Sequence, residues 1–496
     1  MPTHRISIAS LVASLLILFS ASGQSQSRVE YSGRPLFLSG ANVAWVSFAG
    51  DLGPGAISAS TFRRMFDSVR VAGGNSMRLW LHTNGANTPQ FDANGVVIGP
   101  GTNALADLRQ ILDLAQQSRV GLILCLWSFD MLGAQYGANV VARAKLMLTD
   151  VTARTAYIQK SLIPMVTAVK GHPGIIAWEV FNEAEGMSNE YGWTGYDHVP
   201  MQTIQTFVNV VAGAIHRTDP SAKVSTGAWS FIALSDASFP ALTGAQAQPQ
   251  TLSDSAKRDI EDAFSAHYNM SVPADTILAK FAGENYNYYR DDRLVAAGGD
   301  VQGTLDFYMV HYYSWAGTAL SPFHHGYAQW KLTKPVVVAE FFAQTTFGVA
   351  SQNLYRVLYD SGYAGAQTWQ WIDNTQQSLT KGLMRDLFSL HRADLEVITS
   401  VAESAPERSS SFALEHNYPN PFNPSTQIAF TTTKEGPVSL RVYDILGREV
   451  AVLFNGNRNP GHYTERFDGG RVASGVYIYV LRSSEGQRSG RMVLSK

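Results

Sequence analysis

The 496 residues include a single cysteine, Cys125, so no disulfide can form within the chain. It sits in the apolar run GLILCLW, where a thiol behaves as a small core hydrophobe. Charge is also scarce. Charged residues make up 16% of the chain, with 38 Lys and Arg against 40 Asp and Glu, a net charge of −2. No basic cluster marks a nucleic-acid footprint, so no nucleic acid is expected as a partner, and anionic partners are not favoured. Beyond the N-terminus no apolar run approaches the roughly 20 residues a membrane-spanning helix needs.

What is present is a large apolar fraction, 45%, enough for an extensive core. The length exceeds one ordinary domain and suits an elaborated barrel followed by a small module. Residues 1–27 read as a secretory signal. His4 and Arg5 open it, Ile6 to Phe19 is a short apolar region, and Ala21-Ser22-Gly23 is a small-residue cleavage site. The mature protein is expected to begin near Gln24.

Two stretches organise the rest. GIIAWEVFNEAE, Gly174 to Glu185, and TKPVVVAEFF, Thr333 to Phe342, are apolar runs that lead into a glutamate. A parallel strand buried on both faces reads as such a run. Similar runs recur at Pro35–Ser47, Asn75–His82, Val120–Trp127, Lys223–Phe231, Asp306–Tyr313 and Gly365–Ile372, separated by helical periodicity such as Phe62, Met65, Phe66 and Val69. Eight alternating units predict a (β/α)8 TIM barrel over 28–396. Long rim loops are expected at 83–102 and 128–147, and an insertion at 239–281. In such a barrel catalytic groups sit at the C-terminal ends of the strands. Glu183 and Glu340 then face each other as a carboxylate pair, the equipment of a retaining glycosidase when about 5–5.5 Å apart. Glu179 lies deeper in its strand and reads as a satisfied interior carboxylate, and Glu185 belongs to the following loop.

The run Trp178-Glu-Val-Phe-Asn-Glu183, with the second strand-end Glu340, resembles glycoside hydrolase family 5 of clan A. The resemblance implies Glu183 as acid/base and Glu340 as nucleophile. It also implies Asn182 on the sugar 2-hydroxyl, Arg78 and Tyr313 holding the nucleophile ionised, and His311 contacting the sugar. Trp369 is the expected sugar platform, with Trp371 as its alternative. Gly40, Asn42 and Trp45 keep the G-x-N-x-x-W spacing of the first strand. Two positions depart from the pattern: Ala184 stands where proline is usual, and Trp127-Ser128 stands where many glucanases carry histidine. No metal or organic cofactor is implied, and the adjacent His324 and His325 lack a third ligand.

Ten tryptophans are present, and seven of them (Trp45, Trp80, Trp127, Trp178, Trp229, Trp369, Trp371) fall in or at the ends of the predicted strands. Flat apolar faces beside polar edges suit a carbohydrate site. Trp45 and Trp127 are therefore candidate substrate-binding residues, and Trp178 is the first choice for core.

After a linker at 397–411, residues 412–496 change to short alternating strands with turn signals, the pattern of a small β-sandwich. NYPNPFNPST (417–426), LRVYDILGREV (440–450), GHYTERFDG (461–469) and ASGVYIYVLRS (473–483) resemble the C-terminal sorting domain of the type IX secretion system. The resemblance implies type IX secretion machinery as partner and export through periplasm and outer membrane, to a secreted or cell-surface location. A carbohydrate-binding module is the rival reading, but this segment has no tryptophan.

The expectation is a monomeric, secreted, retaining β-glycoside hydrolase acting on a polysaccharide. RLWLH on the second strand and the Trp-rich rim resemble the β-mannanases of that family, and the missing histidine argues against an ordinary endoglucanase, so the resemblance implies endo-β-1,4-mannanase. Endo-β-1,4-glucanase, an exo-acting β-glycosidase, a transglycosylase and a non-catalytic surface glycan-binding protein are the alternatives.

Overall fold

The computed structural model describes residues 27–53, 57–237, 285–397 and 422–495, together with isolated residues in 253–274 and 412–420. The expected signal segment, the 239–281 insertion and the 397–411 linker lie almost entirely outside the described residues. The chain divides into two compact units, Met1–Ile398 and Thr399–Lys496.

The first unit is a closed barrel of eight parallel strands. In chain order they are β1 (Leu38–Ala44), β2 (Ser76–Thr83), β3 (Gly121–Ser128), β4 (Ile175–Asn182), β5 (Val224–Ala228), β6 (Tyr308–His311), β7 (Val336–Glu340) and β8 (Gly365–Thr368). Each pairs with the next in sequence, and β8 pairs with β1 to close the ring. Nearly every strand residue is buried, because helices cover the outside and side chains fill the inside. β1 and β2 approach so closely that a Cβ at Gly40 would lie 1.8 Å from the Ser76 carbonyl oxygen, so this position admits no side chain.

The helices follow the periodicity. Ala59–Val71 buries Phe62, Met65, Phe66 and Val69, the four residues its spacing selects. Ala104–Gln117 and Met201–Thr218 do likewise with Leu108, Ile111, Leu112 and with Ile204, Phe207, Val208, Val211. A hairpin of Val29–Tyr31 with Arg34–Leu36 adds Val29, Tyr31 and Leu36 to a cluster with Ile123, Met309 and Val337. Val397 belongs to that cluster too, so the chain is still packed where the linker was expected to start. No helix among the described residues is long and apolar enough to cross a membrane.

Several expectations are corrected. The stretch 128–147 is not a plain loop: short turns at Phe129–Leu132 and Ala134–Tyr136 lead into the helix Ala138–Thr149. The Gly- and Asn-rich loop after β2 contains a small hairpin, Gln90–Phe91 with Val97–Gly99. Asn287 and Asp236 hold the residues ahead of the helix before β6 in turns, so that helix is short, Asp291–Gly298. The long helix Asn374–His391, capped by Asp373, was not anticipated; its mixed polarity hid a narrow buried stripe of Thr380, Leu383, Met384 and Leu387.

The second unit holds a three-stranded sheet of Ala413–Leu414, Ser425–Thr432 and Gly461–Asp468, and a four-stranded sheet of Glu449–Arg458, Gly436–Asp444, Gly475–Ser483 and Gly486–Leu494. All pairings are antiparallel. Phe422, Ile428, Phe430, Leu440, Val442, Tyr479 and Leu481 form its core. Tyr477 and Tyr479 are both buried there, as expected of a packed face.

Candidate active site

The C-terminal rim of the barrel gathers one connected set of polar side chains. Arg78, on β2, is fully buried at its centre. It meets Glu179 through two bonds, Nε to Oε2 and Nη2 to Oε1, each 2.6 Å. It also donates to Asn42 Oδ1 at 2.8 Å, to Asn182 Oδ1 at 2.7 Å, and through Nη1 to Oε1 of Glu340. A buried guanidinium is tolerable only with such partners. Glu179 is the satisfied interior carboxylate expected of it. Glu179 and Asn182 are three residues apart yet both face inward, because the register of β4 against β5 shifts between them.

Glu340 ends β7. Its Oε2 accepts the Tyr313 hydroxyl at 2.8 Å. Burial pushes its carboxyl up to about 7, against the downward pull of the Arg78 charge and the Tyr313 bond. Glu183 follows β4 in the left-handed region, φ 48° and ψ 45°. Such a conformation costs on the order of 1–3 kcal/mol in a non-glycine residue and concentrates at functional sites. The backbone N–H of Glu183 is fixed on the Gly227 carbonyl at 2.8 Å. The His311 ring Nδ1 lies 2.7 Å from Oε1 of Glu183 and 3.6 Å from Oε2 of Glu340. His311 is fully buried, so this edge of the ring faces the carboxylates.

One ligating atom from each of Glu183, His311 and Glu340 lies within 4.8 Å of the others. A cation would have to sit beside the guanidinium already paired with Glu340, which repels it. The same closeness suits a carboxylate pair that works on one bond.

The aromatic wall separates into two groups. Trp45, Trp80 and Trp369 meet at ring-centroid distances of 5.2, 5.6 and 6.0 Å beside Cys125, on the inner side of β1, β2 and β8. Trp45 and Trp369 are half-buried and so placed to present a face. Trp127 and Trp371 are not: both are fully buried. Trp127 packs between His82 and Tyr157, and Trp371 lies in the core with its backbone N–H on the Asn42 carbonyl. Neither presents an exposed ring face for a sugar, so their packing gives the substrate-binding role expected of them no support. Trp178 is core, as expected.

Sequence reasoning missed several participants. Ser128 Oγ accepts from Asn182 Nδ2 at 3.3 Å and donates to Asp130 Oδ2 at 2.6 Å, which fills the place of the missing histidine with a hydroxyl and a carboxylate. Trp80 buries an indole N–H that has no partner among the described residues. Glu185, set aside as a loop residue, is fully buried on the Tyr289 hydroxyl and the Trp229 N–H, and burial raises it to about 7. The spacing Ser128-x-Asp130 was the one signal that could have been read. A separate surface groove of about 640 Å³, lined by Leu132, Val141, Lys145, Leu146 and Asp197, contains neither catalytic-rim glutamate.

Comparison with known proteins bears on both units. Residues 416–495 match the Secretion system C-terminal sorting domain. The mannan endo-1,4-beta-mannosidase of Mytilus edulis is 31% identical over 401 residues, 75% of this chain and 95% of that protein. The enzyme of the same name from Cryptopygus antarcticus is 30% identical over 70% of this chain and 83% of its own length. The structure of the β-1,4-mannanase from the common sea hare Aplysia kurodai superposes with a TM-score of 0.60 at 28% identity, covering 76% of this chain and 98% of that one.

Proposed function

The chain belongs to the glycoside hydrolase family 5-type mannanases, and we propose that it is a retaining endo-β-1,4-mannanase. It is a glycoside hydrolase with a C-terminal sorting domain of secreted and outer-surface proteins. The observation that carries the mechanism is the closeness of Glu183 and Glu340, whose oxygens approach within 4.8 Å. A retaining enzyme holds its two carboxyl groups about 5–5.5 Å apart, a spacing with which this nearest-oxygen approach agrees.

In this reading Glu340 attacks the anomeric carbon. Arg78 and Tyr313 each hold one of its oxygens, so the attacking carboxylate is oriented before substrate arrives. Glu183 gives its proton to the glycosidic oxygen, and the mannan chain beyond that bond departs. Glu183 then takes a proton from the water that releases the sugar from Glu340. His311, against Glu183, orients that carboxyl for both steps rather than reaching the sugar with the same nitrogen. Asn182 is locked at both ends of its amide, by Arg78 and by Ser128, and offers its remaining N–H to the sugar 2-hydroxyl. Trp369 and Trp45 supply the apolar faces. No step calls for a metal or organic cofactor.

We further propose the boundaries 28–397 for the hydrolase, because Val397 packs with it, 398–411 for the linker and 412–496 for the sorting module, which is to be handed to the type IX secretion machinery.

The test is reducing-sugar release from mannan, glucomannan, carboxymethylcellulose, mixed-linkage glucan and xylan, with Glu340→Gln beside the wild type. Mannan cleavage with internal cuts, lost in the variant, supports the reading. Cleavage of glucans alone would keep the mechanism and replace the substrate. Binding without cleavage would make the barrel a glycan-binding protein.

A further inference from the structure

The aromatic wall does not stop at Trp45. Phe48 meets Trp45 edge-on at 4.9 Å, and Tyr136 lies parallel to Phe48, 14° between planes, at 5.8 Å. Phe48 follows β1 and Tyr136 follows β3, so both stand on the face of the barrel that carries Glu183 and Glu340. Phe48 is 36% exposed, a large apolar ring left on a polar rim. From Trp369 through Trp45 to Phe48 and Tyr136, each step is about the width of one ring.

Tyr136 is also held rigidly. Its hydroxyl donates to Asp130 Oδ1 at 2.9 Å, and the other oxygen of Asp130 accepts from Ser128. Ser128 accepts in turn from Asn182, beside Glu183. The rim tyrosine is thus tied through a buried carboxylate to the residue placed on the 2-hydroxyl. A platform fixed before binding loses little entropy when a sugar stacks on it. Its hydrogen-bonded hydroxyl keeps the ring edge polar, which suits a pyranose with apolar C–H faces and hydroxyl edges.

We propose that Phe48 and Tyr136 form a distal sugar subsite that binds a residue of the β-1,4-linked chain beyond those held at Trp369 and Trp45. This rests on the glycan-hydrolase reading above and adds to it that the enzyme discriminates by chain length. On this proposal a longer oligosaccharide bridging the carboxylates gains the contact with these rings, and a short one lacks it. The subsite serves an endo-acting enzyme, because it lets binding energy from a remote sugar hold the chain across the cleavage point.

The experiment compares wild type, Phe48→Ala, Tyr136→Ala and Tyr136→Phe, each checked for unchanged melting. The substrates are β-1,4-mannooligosaccharides from trimer to hexamer. The quantity read is the ratio of kcat/KM on the hexamer to kcat/KM on the trimer. The two alanine variants should lower that ratio about tenfold, the size of one lost stacking contact. Tyr136→Phe keeps the ring and should lower it by less than about threefold. A ratio within twofold of wild type in both alanine variants, whether both rates hold or both fall, would overturn the subsite. If the wild type cleaves only a gluco-oligosaccharide series, the same ratio is read there, so an error in substrate does not disguise an error here.

Discussion

Tyr313 donates its hydroxyl to Oε2 of Glu340 at 2.8 Å, while the other oxygen of that carboxylate takes Nη1 of Arg78. The two donors oppose the burial that pushes Glu340 up to about 7. An attacking carboxylate must be ionised, so the acidic limb of kcat/KM against pH should lie above that of an ordinary glutamate. Removing the hydroxyl in Tyr313→Phe takes away a bond to the charged form and raises the carboxyl further. The acidic limb should move to higher pH, and kcat/KM at pH 6 should fall roughly 10–100-fold. A pH–rate profile on soluble mannan measures both; an unmoved limb would remove Tyr313 from this role.

Arg78 is as much a structural residue as a site residue. Arg78→Met would leave Glu179 buried with no counter-charge, which costs on the order of 3–5 kcal/mol. Arg78→Met combined with Glu179→Gln should recover part of that loss, since the uncompensated charge is gone. Urea unfolding of the two variants checks the order. Neither should recover activity, because Glu340 and Asn182 lose the same guanidinium.

Gly227 forms part of the floor between these groups. A Cβ there would lie 2.5 Å from Glu179 Oε1, 3.0 Å from His311 Nε2 and 3.3 Å from Arg78 Nη2. Its carbonyl also holds the Glu183 backbone. Gly227→Ala should therefore displace both glutamates slightly, and kcat should fall about 10²-fold. The stability loss should stay near the 1–3 kcal/mol typical of overpacking. A circular-dichroism melt beside the rate assay separates the two effects.

Glu185 gives a pH signature in stability. Burial raises its carboxyl from 4.5 to about 7, so the folded chain holds the proton more tightly than the unfolded one. Its contribution is fully present below pH 4.5 and is lost as pH rises through 7. Glu185→Gln cannot titrate. Relative to wild type, its stability should improve by up to about 3 kcal/mol between pH 4.5 and 8, whatever the offset at the start. Denaturant titrations at the two ends of that range supply the difference; a constant offset would contradict the buried, protonated carboxyl.

The sequence by itself determined the architecture. Apolar runs such as VVVAE and GLILCLWS have no polar face, so they must be strands covered on both sides, and their alternation with amphipathic helices leaves a parallel barrel as the solution. It likewise determined Glu183 and Glu340 as candidates, because a carboxylate at the end of such a run can only stand at the rim. The sorting module was legible for a different reason: its turns and alternating strands are set by local residue chemistry.

What only the tertiary structure decided were the partners. Strand alternation would send Trp127 inward like Cys125, yet the register of β2 against β3 shifts beyond Trp80 and Cys125, and the indole packs against Tyr157. The same kind of shift turns Asn182 toward Arg78. The use of Ser128, Asp130 and Glu185, and the alignment of Phe48 with Tyr136, depend on where loops from different strands meet. A periodicity fixes which face of its own element a side chain takes. It carries no information about what a neighbouring element, tens of residues away, brings to that face.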